Sequence, residues 1–229
     1  MWTMTVDQEG SRVVGDRVAA LLSDLDAPAS PLATAPAGAV VLPFERTVGD
    51  EVQAVLADPE LVVAVALHLV RLGGWSVGIG AGGVDAPLPA SSREASGTAF
   101  IHAREAVETA KSRARGVPLA VRGDRPEAAA EAEGVLALLG AVVARRTPAG
   151  WSVVDGMTPR SGAGAPRQED VAAALGISQQ AVSERLRTAL WAEELAARPA
   201  AARLLRLARD PGDDGAADDG AADDREGRA

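Results

Sequence analysis

A group of hydrogen-bonding side chains lies along one predicted helix near the C-terminal end of the chain. The group comprises Ser178, Gln179, Gln180, Ser183, Arg185 and Arg187. Ser178 suits the N-cap of this helix, and Val182, Leu186 and Ala189 recur at three- and four-residue spacing, so one side of the helix packs while the polar side faces outward. Glutamine and arginine side chains hydrogen-bond base edges and phosphates. This surface therefore suits contact with double-stranded DNA.

The segment around these residues predicts two short helices separated by a tight turn. Acidic Glu169 and Asp170 suit the start of the first helix, Gly176 suits the sharp turn, and Ile177 fills the corner between the helices. Residues 167–190 thus have a helix-turn-helix layout, and LGISQQAVSERLR is similar to the recognition halves of sigma-factor-like and MarR-like proteins. The alternative is a polar helical hairpin that serves packing or dimerisation.

The composition excludes several kinds of site. The chain has 229 residues, no cysteine and two histidines, so disulfides, thiolate zinc sites and histidine-rich metal sites are excluded. A metal would have to take oxygen ligands. The longest apolar run, residues 61–70, is too short to cross a bilayer, and no basic flank precedes an apolar core at the N-terminus. We expect a cytoplasmic protein without a membrane partner.

The net charge of −9 is concentrated at the C-terminal end. Residues 210–229 repeat the motif GAADD and carry eight acids and two arginines, which leaves a charge of −3 for the rest of the chain. A segment without bulky apolar residues cannot bury a core, so we expect a disordered acidic tail. The tail either improves solubility or competes with DNA phosphate for the basic face of the protein.

The remaining pattern predicts a sheet domain followed by a small helical domain. The expected order is strand, helix, β-hairpin, helix, strand, helix, strand, which suits an α+β fold with a ferredoxin-like or palm sheet and helices on one face. The predicted units are a palm-like domain at residues 1–124, a connecting helix at 125–148, an all-α helix-turn-helix domain at 149–209 and the tail at 210–229.

Two aspartates are predicted to meet at one end of this sheet. Asp7 follows the first strand and Asp50 lies at the tip of the hairpin that we expect beside it. Converging carboxylates suit Mg²⁺ of the kind that holds nucleotide phosphates. The alternative is that Asp7 caps a turn and Asp50 only occupies a hairpin position.

The motifs around these aspartates resemble a known family. VDQEGSR, TVGDEVQAVL and a C-terminal helix-turn-helix resemble the SatD family of bacterial proteins, over nearly the whole chain. The turn and the hairpin, with GIGAG and GTAFIHAREA, are also similar to class III nucleotidyl cyclases and related palm domains, over residues 3–121.

The resemblance implies a set of ligand-binding residues. The metal ligands would be Asp7 and Asp50, and the nucleotide contacts would be Gly10, Ser11, Arg12 and Arg104. Arg104 falls on the cyclase arginine that supports the transition state, although it could instead pair with Glu108 on the helix. Phe100 stands where cyclases place an asparagine. The resemblance therefore implies nucleotide binding without efficient cyclisation.

Together these features predict a DNA-binding transcriptional regulator. Its N-terminal domain would sense a ligand, such as a nucleotide with Mg²⁺, or would dimerise. We expect a homodimer, because a single helix-turn-helix reads few base pairs and specific binding generally needs two half-sites. The alternatives are a Mg²⁺-dependent nucleotidyl cyclase-like or nucleotide-processing enzyme and a non-catalytic interaction module.

Overall fold

The strands form one mixed sheet. The computed structural model describes residues 1–159 and 166–209. The strands within them are β1 (Trp2–Gln8), β2 (Val40–Arg46), β3 (Glu51–Leu56), β4 (Trp75–Ala81) and β5 (Leu119–Gly123). They pair in the order β2-β3-β1-β4-β5, with β1 antiparallel to β3 and β4, and with β5 parallel to β4. The first four strands have the order of a ferredoxin-like βαββαβ unit. The predicted α+β class with a palm-like sheet is confirmed.

The helices of the described residues begin and end largely at local sequence signals. They are α1 (Ser11–Val14), α2 (Val18–Leu25), α3 (Pro59–Leu72), α4 (Thr98–Ala110), α5 (Pro126–Arg145), α6 (Pro148–Met157), α7 (Gln168–Leu175), α8 (Gln179–Thr188) and α9 (Trp191–Ala208), with a 3₁₀ turn at Pro31–Thr34. At the start of α3, Asp58 Oδ1 accepts the Glu60 N–H at 2.9 Å and Pro59 occupies the first turn. No helix in the described ranges is long and apolar enough to cross a membrane.

The main core lies on one face of the sheet. Alternate residues of β1, namely Trp2, Met4 and Val6, are buried there together with side chains of α2, α3, α5 and α9. The indole Nε1 of Trp2 donates to the carbonyl of Leu205 at 3.1 Å, which ties α9 to the sheet. Alternation along the strands thus directs large apolar side chains to a single layer of helices.

Helix α4 packs on the opposite face, which differs from the prediction that the helices share one face. The reason is the composition of β4, where Gly78 and Gly80 alternate with Val77 and Ile79. A Cβ at Gly78 would lie 2.3 Å from the backbone nitrogen of Val107, and one at Gly80 would lie 2.0 Å from the carbonyl oxygen of Ala99. The two glycines therefore let the backbone of α4 approach the sheet directly.

The C-terminal helices divide differently from the predicted bounds. A second, smaller buried cluster joins α6, α7 and α8. Helix α9, however, packs on α5 and α3, and its residues Ala201, Ala202 and Leu205 belong to the main core. The connecting helix α5 is likewise part of that core. The predicted domain at 149–209 therefore has its last helix in the sheet domain, and the predicted tail at 210–229 lies outside the described residues.

Candidate functional site

Residues 168–188 form two helices joined by a three-residue turn. Gly176 adopts a left-handed conformation with φ of 64°, and the Ile177 N–H donates to the Ala172 carbonyl at 3.0 Å. Ser178 then caps α8, because its hydroxyl oxygen accepts the Ala181 N–H at 3.1 Å. The predicted helices and turn are present at the expected residues. Whether they contact DNA stays a prediction.

Helix α8 is seated on α6 and α7 through its apolar side. Val182, Leu186 and Ala189 are buried against Val153 of α6 and Val171 of α7. Gly156 of α6 lies against Val171, where a Cβ would come within 2.8 Å of a valine methyl. Such packing fixes the direction of α8, and hence the direction in which its polar side faces.

The polar side of α8 is open to solvent. Ser178, Gln179, Gln180, Ser183 and Arg187 are exposed, and Arg185 is half-buried. The predicted DNA-contacting side chains therefore lie on one accessible surface, which we call the α8 surface. Its members are Ser178, Gln179, Gln180, Ser183, Arg185 and Arg187.

Two contacts organise the α8 surface. The Ser183 hydroxyl donates to Gln168 Oε1 at 2.6 Å, which links the middle of α8 to the start of α7. Arg187 pairs with Glu184, and this hydrogen bond lowers the pKa of Glu184 and raises the pKa of Arg187. Exposed ion pairs of this kind are weak. A phosphate group could therefore replace Glu184 as the partner of Arg187 at little energetic cost.

A polar junction holds the α6–α8 unit on the sheet domain. Arg146 and Glu194 are each 1% exposed at the side chain and pair at 2.5 Å, and Arg146 also donates to the Ala189 carbonyl at 2.9 Å. The guanidinium carbons of Arg71 and Arg146 lie 3.7 Å and 4.4 Å from the centroid of the Trp151 ring. This arrangement satisfies the buried charges and fixes α6 against α3.

The second candidate site lies where β1 ends. Asp7 is directly opposite Glu51 of β3, so both side chains lie on the α4 face of the sheet. The carbonyl oxygen of Asp50 accepts the Gln8 N–H at 3.3 Å. The structure thus brings Asp7 and Asp50 to the same end of the sheet, as the sequence predicts.

The Asp7 carboxylate already has a cationic partner, Lys111. Lys111 Nζ lies 3.1 Å from Asp7 Oδ2 and 2.7 Å from Glu108 Oε1. Burial raises the pKa of Asp7, Lys111 acts in the opposite direction, and the charges of Asp50 and Glu51 add to the increase. Burial alone would lower the pKa of Lys111, but its hydrogen bonds to Glu108 and Asp7 outweigh that effect and raise it. The lysine therefore stays protonated beside a carboxylate that has lost much of its hydration.

The arrangement at Asp7 does not fit the Mg²⁺ site that the resemblance implies. A magnesium ion needs carboxylate oxygens at roughly 2.0–2.1 Å in octahedral geometry. The Lys111 ammonium group instead holds Asp7 Oδ2. Among residues 1–159 and 166–209, no group of three or more Asp, Glu and His side chains is placed to hold a metal ion.

The remaining predicted nucleotide contacts are distributed along neighbouring elements. Gly10 is left-handed, with φ of 67°, and precedes the short helix α1, where Ser11 is half-buried and Arg12 is exposed. Arg104 is exposed on α4, seven residues and thus roughly 10 Å before Lys111. Glu108 pairs with Lys111. The structure therefore places Arg104 away from Asp7.

Sequence reasoning missed two residues at this end of the sheet, Lys111 and Gln8. The buried amide of Gln8 donates to the Gly15 carbonyl at 2.6 Å and accepts the Arg17 N–H at 2.7 Å, which closes the loop that follows β1. Lys111 has a sequence signal, since it is the one lysine among 23 basic residues. Its partner Asp7 is 104 positions away, so only the fold shows the pair.

A further cleft of about 460 Å³ lies along the free edge of β5 and is bordered by His102, Arg122 and Glu133. Glu133 Oε2 accepts the Val121 N–H at 2.9 Å, and the same carboxylate pairs with Arg115 and Arg122. Burial opposes the charge of Glu133, but these hydrogen bonds lower its pKa below the usual range. The ionised carboxylate thus satisfies an edge N–H that would otherwise be open to another strand.

Comparison of the chain with models of protein families, with curated proteins and with solved structures gave no match. The resemblances to the SatD family and to the cyclases therefore depend on their motifs alone.

Proposed function

We propose that the protein is a DNA-binding transcriptional regulator that contacts double-stranded DNA through the α8 surface. The observation that carries this proposal is the exposure of Gln179, Gln180, Ser183 and Arg187 on a helix whose apolar side is fully engaged with α6 and α7.

The geometry of α8 favours the major groove as its binding position. The first turn of a helix presents backbone N–H groups that suit a phosphate, of which Ser178 caps only that of Ala181. Glutamine and arginine in the following turns suit base edges. The Ser183–Gln168 hydrogen bond places the start of α7 beside α8, so Gln168 would lie near the same DNA backbone. Two copies of the chain would be needed for specific affinity, which supports a homodimer on paired half-sites.

The sheet domain would then sense a ligand or provide the dimer contact. The alternative function, a nucleotide-processing enzyme, needs a metal ion at Asp7 and Asp50, and the contact between Asp7 and Lys111 counts against it.

The test is a fluorescence-anisotropy titration of the full chain with the DNA upstream of its own gene, at increasing salt, with and without Mg²⁺ and nucleoside triphosphates. The double variant Arg185→Ala/Arg187→Ala should bind about tenfold more weakly. The slope of log affinity against log salt should become shallower by about 1 for each phosphate that the variant no longer neutralises.

The matched control is Arg93→Ala/Arg113→Ala, because both arginines are exposed on the sheet domain. It removes two positive charges without touching α8, so its affinity should stay close to that of the wild type. Equal affinities of the wild type and Arg185→Ala/Arg187→Ala would refute the assignment of the α8 surface. A change in affinity on addition of a nucleotide would show that the sheet domain senses it.

A further inference from the structure

We propose that Lys111 is a built-in cation that occupies the position of a divalent metal at Asp7, so that this end of the sheet works without Mg²⁺. The inference goes beyond the proposed DNA binding and does not depend on it. It concerns the contacts of the Lys111 ammonium group with Asp7 and Glu108, and the charges of Asp50 and Glu51 that act on Asp7.

The first support is the contact geometry. Lys111 Nζ bridges Asp7 Oδ2 at 3.1 Å and Glu108 Oε1 at 2.7 Å, in the way that a metal ion would bridge two carboxylates. An ammonium group is a compact charge with three donors, which resembles a small cation more closely than a planar guanidinium group does. A metal ion on the same Asp7 oxygen would have to displace it.

The second support is the use of lysine in this chain. The sequence has 22 arginines and one lysine, and that lysine is the residue that contacts Asp7. Two arginine ion pairs elsewhere, Arg46–Asp16 and Arg71–Asp155, contact both oxygens of one carboxylate, whereas Lys111 contacts one oxygen of Asp7 and one of Glu108. The geometry at Asp7 suits a point charge instead.

The third support is the anchoring of Lys111. The residue is the C-cap of α4, where the helix dipole favours a positive charge. Helix α4 is itself held close to β4 by Gly78 and Gly80. The base of the lysine side chain is therefore fixed beside the end of β1, while its side chain remains 35% exposed.

The local charge is consistent with this role. The carboxylates of Asp7 and Glu108 contact the ammonium group, and the charges of Asp50 and Glu51 act on Asp7. Without a metal ion the net charge of the site stays negative, so the site repels a nucleoside triphosphate. The Mg²⁺–nucleotide pair implied by the resemblance therefore does not suit the site while Lys111 is present.

The experiment measures Mn²⁺ binding by electron paramagnetic resonance on five full-length proteins. These are the wild type, Asp7→Asn, Lys111→Met, Lys111→Arg and the double variant Lys111→Met/Asp7→Asn. The acidic C-terminal residues also attract Mn²⁺, so the measured quantity is the binding that depends on Asp7. It is the difference between the wild type or Lys111→Met and its Asp7→Asn counterpart, and the total binding by Lys111→Arg is compared with that of the wild type.

We expect the wild type to show no Asp7-dependent site at about 1 mM Mn²⁺, in the range of weak oxygen-ligand sites. Lys111→Met should gain one such site per chain, with affinity at least about tenfold tighter than in the wild type. Lys111→Arg keeps the positive charge and should resemble the wild type. Asp7-dependent Mn²⁺ binding by the wild type, or no gain in Lys111→Met, would overturn the proposal.

A second measurement keeps the proposal testable if Lys111→Met fails to fold. Wild-type protein labelled with ¹⁵N-lysine gives a single side-chain ammonium signal by NMR, because the chain has one lysine. This signal should keep its line width when Mn²⁺ is added and should shift in Asp7→Asn. Selective broadening by Mn²⁺ would place the ion beside Lys111 and contradict the proposal.

Discussion

On the main-core face of the sheet, large apolar side chains pack between the strands and α3, α5 and α9. On the opposite face, glycines in β4 let the backbone of α4 contact the sheet directly. The first face buries Trp2, Ile79 and Leu205, which fill the space between strands and helices. The second face presents Gly78 and Gly80 to small residues of α4. Buried apolar side chains stabilise the first face, and close contact between the backbones of β4 and α4 stabilises the second.

This difference between the two faces explains why the small buried polar side chains of β1 and β4 lie on the α4 face. The α4 face carries Thr3, Thr5 and Ser76 in buried positions, and it ends in Asp7. A helix close to the sheet leaves little room for large side chains, so small polar residues occupy this face, and Asp7 at its end pairs with Lys111. The same face thus holds the helix that carries Lys111 and the strand that carries Asp7.

The largest expected effect is the removal of volume from the main core. Leu205→Ala deletes a fully buried side chain between α9 and the sheet, so the free energy of unfolding should fall by about 2 to 5 kcal/mol. Leu207→Ala is the matched control on the same helix, because Leu207 is 43% exposed, and it should change stability by about 0.5 kcal/mol. Urea denaturation measures both. Similar losses in the two variants would contradict the described position of α9.

On the α4 face, a larger side chain at a glycine of β4 should destabilise the protein. In Gly78→Ala the new Cβ meets backbone atoms of Val107 and Ala103, at 2.3 and 2.5 Å, which cannot rotate away. We expect the free energy of unfolding to fall by about 1 to 3 kcal/mol. Thermal unfolding followed by circular dichroism measures the change.

Gly134 provides the control for this glycine substitution. It lies inside α5, and a Cβ there would meet no atom within 4 Å. Gly134→Ala should therefore stabilise the protein by about 0.5 to 1 kcal/mol through helix propensity. If Gly78→Ala were as well tolerated as Gly134→Ala, α4 could not lie as close to β4 as described.

The smallest expected effect tests the polar character of the α4 face. Thr3 Oγ1 is buried and has no hydrogen-bond partner in the described part of the chain. Thr3→Val replaces this hydroxyl with a methyl group of similar size, so the protein should gain about 1 kcal/mol. Chemical denaturation would show the gain as a higher midpoint at an unchanged slope. A loss of stability would indicate that the hydroxyl is satisfied.

Local signals predicted much of the fold. Ser178 caps α8 as the sequence predicts, and the strands occur in the predicted order. Asp58 and Pro59 form a local signal for the start of α3. These elements depend on residues that are neighbours in the chain. A short helix, α1, follows Gly10 where the sequence predicts only a turn.

The features that sequence patterns did not predict depend on distant residues. Alternating Gly78 and Gly80 signal a close backbone approach, but they do not say which helix makes it. Leu205 has the spacing of any amphipathic helix, and only the fold shows that it returns to the sheet core. The predicted strand order brings Asp7 and Asp50 together, whereas the position of Lys111 depends on the packing of α4, which the strand order does not predict.

The junction at Arg146 has a consequence for how the chain is assembled. Arg146 follows the last residue of α5 and donates to the carbonyl of Ala189, which lies two residues before α9. The two ends of the segment 147–190 therefore lie close together at the sheet domain. In topological terms the α6–α8 unit is an insertion into the α5–α9 helix pair, and insertions whose ends meet can be exchanged or excised while the host fold keeps its core. Replacement of the α6–α8 unit would then change the exposed polar surface of the chain without a change to the sheet that carries it.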